Sequence, residues 1–528
     1  MADSKRIGWP NGDVVMTLLT PSSADGPPEV APPDSTPKSA TPEQELKFRV
    51  SDTFALPNLG GGELRHVVGG TRSLDTTYWD TADMRLARRG HTLRYRTSDD
   101  GSKSRWTLKL GRRGESSLLQ RREVDCDGDA DTPPQTLVDA LLGLTDGRDL
   151  TIAARMRSEQ HQASVVDADG RRLLAIEDDR VVVVEQNRVA GSFREVEVEL
   201  TDATHGKRAL RRATRVLRDH GAGEPDPTPK LTRARGPIAQ RETTALDSDA
   251  TVEDLVRFSV RDGLNQLLLH DPGVRLDLGT EDVHQARIAT RRLRANLRTL
   301  RPLLDRRTVD DLRAEIRWAG QVLGTVRDLD VLRASFARSL ECTPASRGVE
   351  LIAAVETERA AAHDVLLDAM RSPRWQSMLR NLDAAAILPP LTATTAPTDD
   401  ATDVVAHLLR KSFRRLERRV TDAPAAPAGW HEVRKAAKST RYAAELLEPL
   451  LGGGTHRLAR DAERIQTELG RRQDDVVARG WLHDHGHTGA LCSTTELLTD
   501  SHEGRPGNRP PHWKKLWQRA RRSARKVV

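Results

Sequence analysis

Cysteine is almost missing from this chain of 528 residues. Its three examples, Cys126, Cys342 and Cys492, are too scattered for a metal pair or a disulfide framework, and they read as free thiols of a reducing compartment. Long apolar runs are missing too. No stretch approaches the roughly 18 apolar residues of a spanning helix, and the N-terminus has no apolar targeting core. These absences point to a cytoplasmic protein without a membrane partner. Aromatic residues make up only 3%, which removes the stacking platforms expected of a single-strand nucleic-acid binder and argues against a specific nucleic-acid partner. Lysine is scarce as well: 13 of the 83 cations, the rest being arginine. GC-rich coding and selection of guanidinium forks for phosphate oxygens both give that bias, and only the positions of the arginines separate them. The net charge is a modest +6 although 30% of residues are charged, so any strong field is local.

Residues 1–40, rich in Pro, Ser, Asp and Ala without a period, read as a disordered leader. Within a domain expected over 41–235, the chain to about residue 200 alternates with period two in "TPEQELKFRV", "HTLRYR", "SRWTLKL", "LLQRREV", "ARMRSEQ", "RLLAIEDD" and "FREVEVEL". They predict an antiparallel β-domain of about eight strands. A short helix is expected over 207–219 and a linker over 236–250. From 251 to 505 the period becomes 3.6, in halves 251–387 and 401–505 split by "LPPLTATTAPTDD", and a basic tail fills 506–528.

The two helical halves repeat. His284 is followed at +3, +7 and +10 by Arg287, Arg291 and Arg294, and His431 at the same offsets by Arg434, Lys438 and Arg441. "LGTVRDLDV" and "LGRRQDDVV" then begin 39 and 38 residues after each histidine, supplying Gly324 with Asp328 and Gly470 with Asp474. Two duplicated helical bundles are expected.

In the β-domain the charge lies on one side of every strand. Glu43, Glu45 and Lys47 share a face; Arg94 with Arg96, Lys109, Arg121 with Glu123, and Arg155 with Arg157 follow the same rule, and Glu195, Glu197 and Glu199 close the series. For a single strand, a solvated face with cross-strand ion pairs is the plainer account. Carboxylates gathered in the first and last strands with cations between them instead fit a closed barrel with a charged lumen. Carboxylates can hold Mg²⁺ or Mn²⁺, and metal, Arg and Lys together neutralise an oligophosphate.

Glu43-x-Glu45-x-Lys47, followed by "YWDTADMRLARRGHTLRYR", resembles the CYTH or triphosphate tunnel metalloenzyme family. The resemblance implies an eight-stranded antiparallel tunnel that binds triphosphate compounds with a divalent metal, in a family of inorganic, thiamine and RNA triphosphatases and class IV adenylate cyclases. It makes Glu43, Glu45, Glu197 and Glu199 metal-site carboxylates, with Asp178 preferred over Asp179 as a further one. Lys47, Arg94, Arg96, Lys109, Arg121 and Arg155 or Arg157 would grip phosphates. Lys230 in "TPKLTRA" is similar to the family's Ser-Lys-Tyr element. The general base is not identifiable.

The histidine offsets place each set along one helical stripe, which repels itself unless an anion or carboxylates lie against it. Asp328 and Asp474 are the candidate carboxylates; a shared anionic ligand is the alternative favoured by two matched stripes. Metal binding by the histidines lacks a nearby second ligand at a familiar spacing. The duplicated pattern resembles the CHAD domain, a conserved-histidine α-helical module. That resemblance implies a basic surface for inorganic polyphosphate, which Arg410, Lys411, Arg414 and Arg415 would extend on charge alone.

The expected protein is thus multidomain α+β: a CYTH-like tunnel joined to an all-α CHAD-like domain. It would bind polyphosphate and hydrolyse tripolyphosphate-like ends with Mg²⁺ or Mn²⁺. A class IV-type cyclase and a non-catalytic polyphosphate-granule scaffold are the alternatives.

Overall fold

The structure is a computed structural model. It describes residues 38–100, 104–111, 119–238, 249–340, 345–422, 427–469 and 513–525, with residues 102, 246, 247 and 481. The leader through residue 37, Cys342, Cys492, Gly470, Asp474 and most of the tail lie outside the described residues.

Eight antiparallel strands close into a barrel: β1 (Lys38–Val50), β2 (Arg65–Asp80), β3 (Thr92–Ser98), β4 (Arg105–Gly111), β5 (Leu119–Cys126), β6 (Thr151–Val166), β7 (Arg172–Glu185) and β8 (Arg188–Leu200). Their order around the ring is β1-β5-β4-β3-β2-β6-β7-β8. The alternating sequence forms a barrel turned inside out in polarity, with apolar residues facing outward. Such a surface has to be covered. On one side α2 (Lys207–Asp219), at the span expected from sequence, lays Ala209, Leu210, Ala213 and Leu217 over Phe48, Ile176, Val196 and Val198. On the other, α1 (Gln135–Thr145) interrupts the period-two region with Leu137, Leu141 and Leu144 at helical spacing. These leucines join Leu93, Trp106, Leu108 and Val124 of the barrel to Leu255, Leu264 and Leu267 of the helical region in one continuous core. Burying each such side chain contributes about 1.5–3 kcal/mol, so the barrel wall and the helices stabilise one another.

A short α3 (Lys230–Arg235) stoppers one end of the barrel, burying Leu231 among Tyr78, Ala154, Met156 and Val181. The helical region follows: α4 (Val252–Arg275), α5 (Thr280–Leu300), α6 (Arg306–Leu340), α7 (Ala345–Arg371), α8 (Pro373–Ile387), α9 (Ala401–Thr421), α10 (Pro427–Leu451), α11 (Gly453–Glu468) and α12 (Trp513–Ala524). Thr251 starts α4 with a reciprocal capping box to Asp254. The segment between the helical halves is pinned rather than loose, since Asp400 bridges to Thr251 and Leu391 to Leu304. No described helix is long and apolar enough to cross a membrane.

Candidate functional site

The tunnel wall is set by register. Glu43 stands opposite Arg121, Glu45 opposite Glu199, and Lys47 opposite Glu197, while Glu177 faces Glu197 and Asp179 faces Glu195 across the next ladder. Residues directly opposite share a face, so these side chains line one lumen.

Lys109 donates to Glu43 at 2.8 and 3.0 Å and lies 2.5 Å from Glu123. Burial drives the Glu43 carboxyl upward despite Lys109, whereas Lys109 and Arg94 overcome burial at Glu123 and hold it down at about 2. Lys47 bonds to Glu197 and lies 3.2 Å from Glu45. Burial opposes the charge on Glu45, but Lys47 next to it, with Lys109 and Arg121, lowers its pKa. Glu195 and Glu199 behave differently. Burial pushes both up to about 7, helped at Glu195 by Glu197 and at Glu199 by Glu43, Glu177 and Glu123. A cationic recess lined by Lys47, Tyr78, Thr92, Arg94, Lys109, Arg121 and Lys230 lies beside Glu197.

Two expectations are corrected. Arg155 and Arg157 point away from the lumen and are exposed, with Arg157 pairing Asp75 at 2.9 Å on the outer surface. In β6 the inward series is Met156, Ser158 and Gln160, because Thr76 and Asp179 of the neighbouring strands stand opposite Met156 and Gln160. Asp178 is the second correction. It faces outward opposite Val196 and is held by Arg194 at 2.7 and 2.9 Å. Its neighbour Asp179 is the inward one, accepting from Gln160 at 2.8 Å and from Lys230.

Sequence reasoning missed Glu177, Tyr78, Gln160 and Arg233. Glu177 shares the parity of Asp179, and Leu174 and Ile176 on the outward side signal it. Asp80 organises the backbone nearby. It accepts from the N–H groups of Thr81, Leu86 and Ala87 at 2.7–2.9 Å, which shapes the turn after "YWD" and leads into Gly90 at φ 77°. That conformation suits a residue without Cβ.

Carboxylate oxygens of Glu177, Asp179 and Glu197 lie within 4.8 Å of one another, close enough to share one metal ion. Buried oxygens of Glu45 and Glu195 lie nearby, met by ion pairs alone: Glu45 with Lys47 at 3.2 Å, and Glu195 with Arg233 at 2.9 Å and Lys230 at 3.5 Å. An all-oxygen, anionic donor set fits a hard divalent cation such as Mg²⁺ or Mn²⁺.

In the helical region, α5 carries His284, Arg287, Arg291 and Arg294, and α10 carries His431, Arg434, Lys438 and Arg441. Arg292 of α5 reaches Glu445 of α10 at 2.9 Å, drawing the helices together. Carboxylates meet only some of these cations. Arg287 bonds to Asp328 at 2.8 Å and to the Gly324 carbonyl at 2.6 Å; a Cβ on Gly324 would lie 3.0 Å from that guanidinium, so the glycine admits it. Arg441 is held by Glu445 at 2.6 Å and Glu463 at 2.9 Å. Arg291, Arg294, Arg434 and Lys438 meet no carboxylate among the described residues, and the Nε atoms of Arg291 and Arg434 are buried without a hydrogen bond. Burial and the facing Arg291, Arg434, Arg287 and Arg294 push Lys438 down to about 7. Burial and neighbouring cations lower both histidines too, Arg327 at His284 and Lys435 at His431. On α9, Lys411, Arg414 and Arg415 are exposed and Arg410 is half-buried.

Residues 41–231 match the family model of the CYTH domain, and residues 259–483 that of the CHAD domain. The chain joins a CYTH domain to a CHAD domain. Uncharacterized protein Rv2226 of Mycobacterium tuberculosis is 29% identical over 469 residues, covering 83% of this chain and 88% of that protein. Among solved structures, the CHAD domain from the plant Ricinus communis aligns at 24% identity with TM-score 0.43, over 53% of this chain and 95% of its own. A putative adenylyl cyclase from Hippeastrum, described as having a dominant triphosphatase activity, aligns at 18% identity with TM-score 0.26, over 37% of this chain and 95% of its own.

Proposed function

We propose that the CYTH barrel binds the triphosphate end of a phosphate chain and hydrolyses its terminal phosphoryl group, and that the CHAD helices bind inorganic polyphosphate. The observation that carries the first half is one buried lumen with a cationic recess of Lys47, Arg94, Lys109, Arg121 and Lys230 beside the carboxylates of Glu177, Asp179 and Glu197. The cations neutralise phosphate oxygens and steady the charge that develops on the leaving pyrophosphate. The Tyr78 hydroxyl lines the same recess and can donate to a phosphoryl oxygen. Glu177, Asp179 and Glu197, with Glu45 beside them, would hold the divalent ion, which when bound supplies Lewis-acid polarisation of the phosphate. Leu231 and its neighbours pack the α3 end of the barrel with apolar side chains.

The second half is supported by Arg291, Arg294, Arg434 and Lys438. Cations packed this closely without carboxylates leave an electrostatic deficit that a polyanion fills. Polyphosphate, a dense linear anion without bases, matches a face that lacks aromatic platforms.

The test is phosphate and cyclic AMP production from tripolyphosphate, long-chain polyphosphate and ATP with Mg²⁺ or Mn²⁺, beside Glu43→Ala/Glu45→Ala. Phosphate released from tripolyphosphate and lost in the variant is the expected result. Cyclic AMP from ATP would make the tunnel a cyclase, and binding without turnover would make the protein a scaffold.

A further inference from the structure

Lys230 stands on the oxygens that a metal needs. Its ammonium bonds to Asp179 and lies 3.2 Å from Glu197 and 3.5 Å from Glu195. Asp179 and Glu197 are two of the three carboxylates, with Glu177, whose oxygens converge on one point. An ammonium and a divalent ion cannot share those oxygens without strong repulsion, because a buried site screens little of it. One of them has to leave.

Lys47 also touches Glu197, but it is rooted in β1 and paired across the ladder to β8. Lys230 opens the six-residue α3, whose backbone belongs to no strand ladder. The segment before it is tied to β1 by the N–H groups of Gly223, to the Arg49 carbonyl at 3.3 Å, and Asp226, to the Lys47 carbonyl at 2.8 Å, with a bridge at Pro225 between them, and none of these ties reaches Lys230 itself. Four side-chain carbons beyond that anchor let the ammonium swing while Leu231 stays buried. Its alternative partner is near, since Lys230 also lines the recess with Arg94, Lys109 and Arg121.

We infer that Lys230 is a built-in competitor for the metal, occupying the Asp179 and Glu197 oxygens in the empty tunnel and transferring to a phosphate oxygen when metal and triphosphate enter together. This rests on the triphosphate-tunnel reading above. Metal alone then binds weakly, because it must strand a buried ammonium, and triphosphate strengthens its binding by giving that ammonium a new anion.

The experiment measures Mn²⁺ binding to the full chain by calorimetry, without phosphate compounds. Lys230→Met is expected to bind Mn²⁺ at least about tenfold tighter than the wild type. Lys230→Met also removes one of the cations among buried carboxylates, so a second measurement uses the wild type itself. With only 13 lysines, ¹³Cε labelling resolves the Lys230 signal, assigned by its loss in Lys230→Arg, and that signal is expected to shift as Mg²⁺ saturates the protein. Equal or weaker Mn²⁺ binding by the variant, or an unmoved Lys230 signal at Mg²⁺ saturation, overturns this inference and leaves the metal site standing. Absence of metal binding in both proteins overturns the metal-site reading along with it.

Discussion

Arg122 and Asp282 offer a direct test of whether barrel and helices are one cooperative unit. Arg122 lies on β5 between the lumen residues Arg121 and Glu123, and its side chain points outward to α5. Its guanidinium grips Asp282 with two hydrogen bonds of 2.6 and 2.8 Å, while His270 of α4 lies 3.0 Å from the same carboxylate. Asp282 is only 2% exposed, and a Cβ on Gly273 would lie 2.3 Å from it. Removing one partner of a fully buried ion pair costs about 3–5 kcal/mol, because the other charge is stranded. Here the Arg122 side chain is 30% exposed and His270 remains, which reduces the expected loss for Arg122→Ala to about 2 kcal/mol. In Arg122→Ala/Asp282→Ala the stranded charge is gone, so the double variant should lose less than the sum of the singles by about 1–2 kcal/mol. Urea unfolding followed by tryptophan fluorescence and far-ultraviolet circular dichroism supplies the four free energies of that cycle. Additivity within about 0.5 kcal/mol would refute the reasoning, since it would mean that Asp282 does not depend on Arg122.

Other expectations follow from the same geometry. Arg94→Ala should lower tripolyphosphate turnover by at least about 100-fold, whereas the outward Arg157→Ala should stay within about twofold; equal losses would place β6 in the opposite register. Asp179→Asn should weaken Mn²⁺ binding about tenfold or more, while Asp178→Asn, which loosens Arg194 on the outer wall, should lower the urea midpoint and leave Mn²⁺ affinity within about twofold. At Lys438 the folded pKa of about 7 lies below that of the unfolded chain, so the unfolded state binds the extra proton between these values and stability rises with pH above about 7. A bound polyanion favours the charged amine. Polyphosphate binding at pH 8 should therefore take up protons, seen as a calorimetric enthalpy that depends on the buffer, and this dependence should fall in Lys438→Met.

Much of the tunnel was legible because a strand has period two, so a row of Glu45, Lys47, Glu195 and Glu197 is as visible in the sequence as on the barrel wall. The failure at Arg155 and Arg157 has a local physical cause. Met156 of β6 belongs to the apolar cluster around Leu231 of α3, so on this strand the inward face carries uncharged residues. Arg94 and Arg96 of β3, opposite Tyr78 and Thr76, still point inward at the same level, so the exception is confined to β6 and only its register with β2 and β7 reveals it. Asp178 and Asp179 were separable in principle, since Leu174 and Ile176 continue in step to Asp178 on the apolar side. In the helices, the offsets from His284 and His431 were visible and so was the i,i+4 pair of Arg441 with Glu445, but the reach of Glu463 from α11 to Arg441 was not, because no spacing rule connects it to the stripe.

The same register explains how a barrel this charged can fold at all. A buried ion is tolerable only against an opposite one, and the lumen supplies such partners: Lys109 with Glu43 and Glu123, Lys47 with Glu45 and Glu197, Lys230 with Asp179. Those pairs also set the terms of binding. A polyanion entering alone would draw Lys109 and Lys47 away from carboxylates and strand the acids; a metal entering alone would strand the ammonium groups. On the proposed triphosphate reading, each would take up the partner that the other displaces, so the ion pairs that let the empty barrel fold would also favour phosphate chains that arrive with a divalent cation.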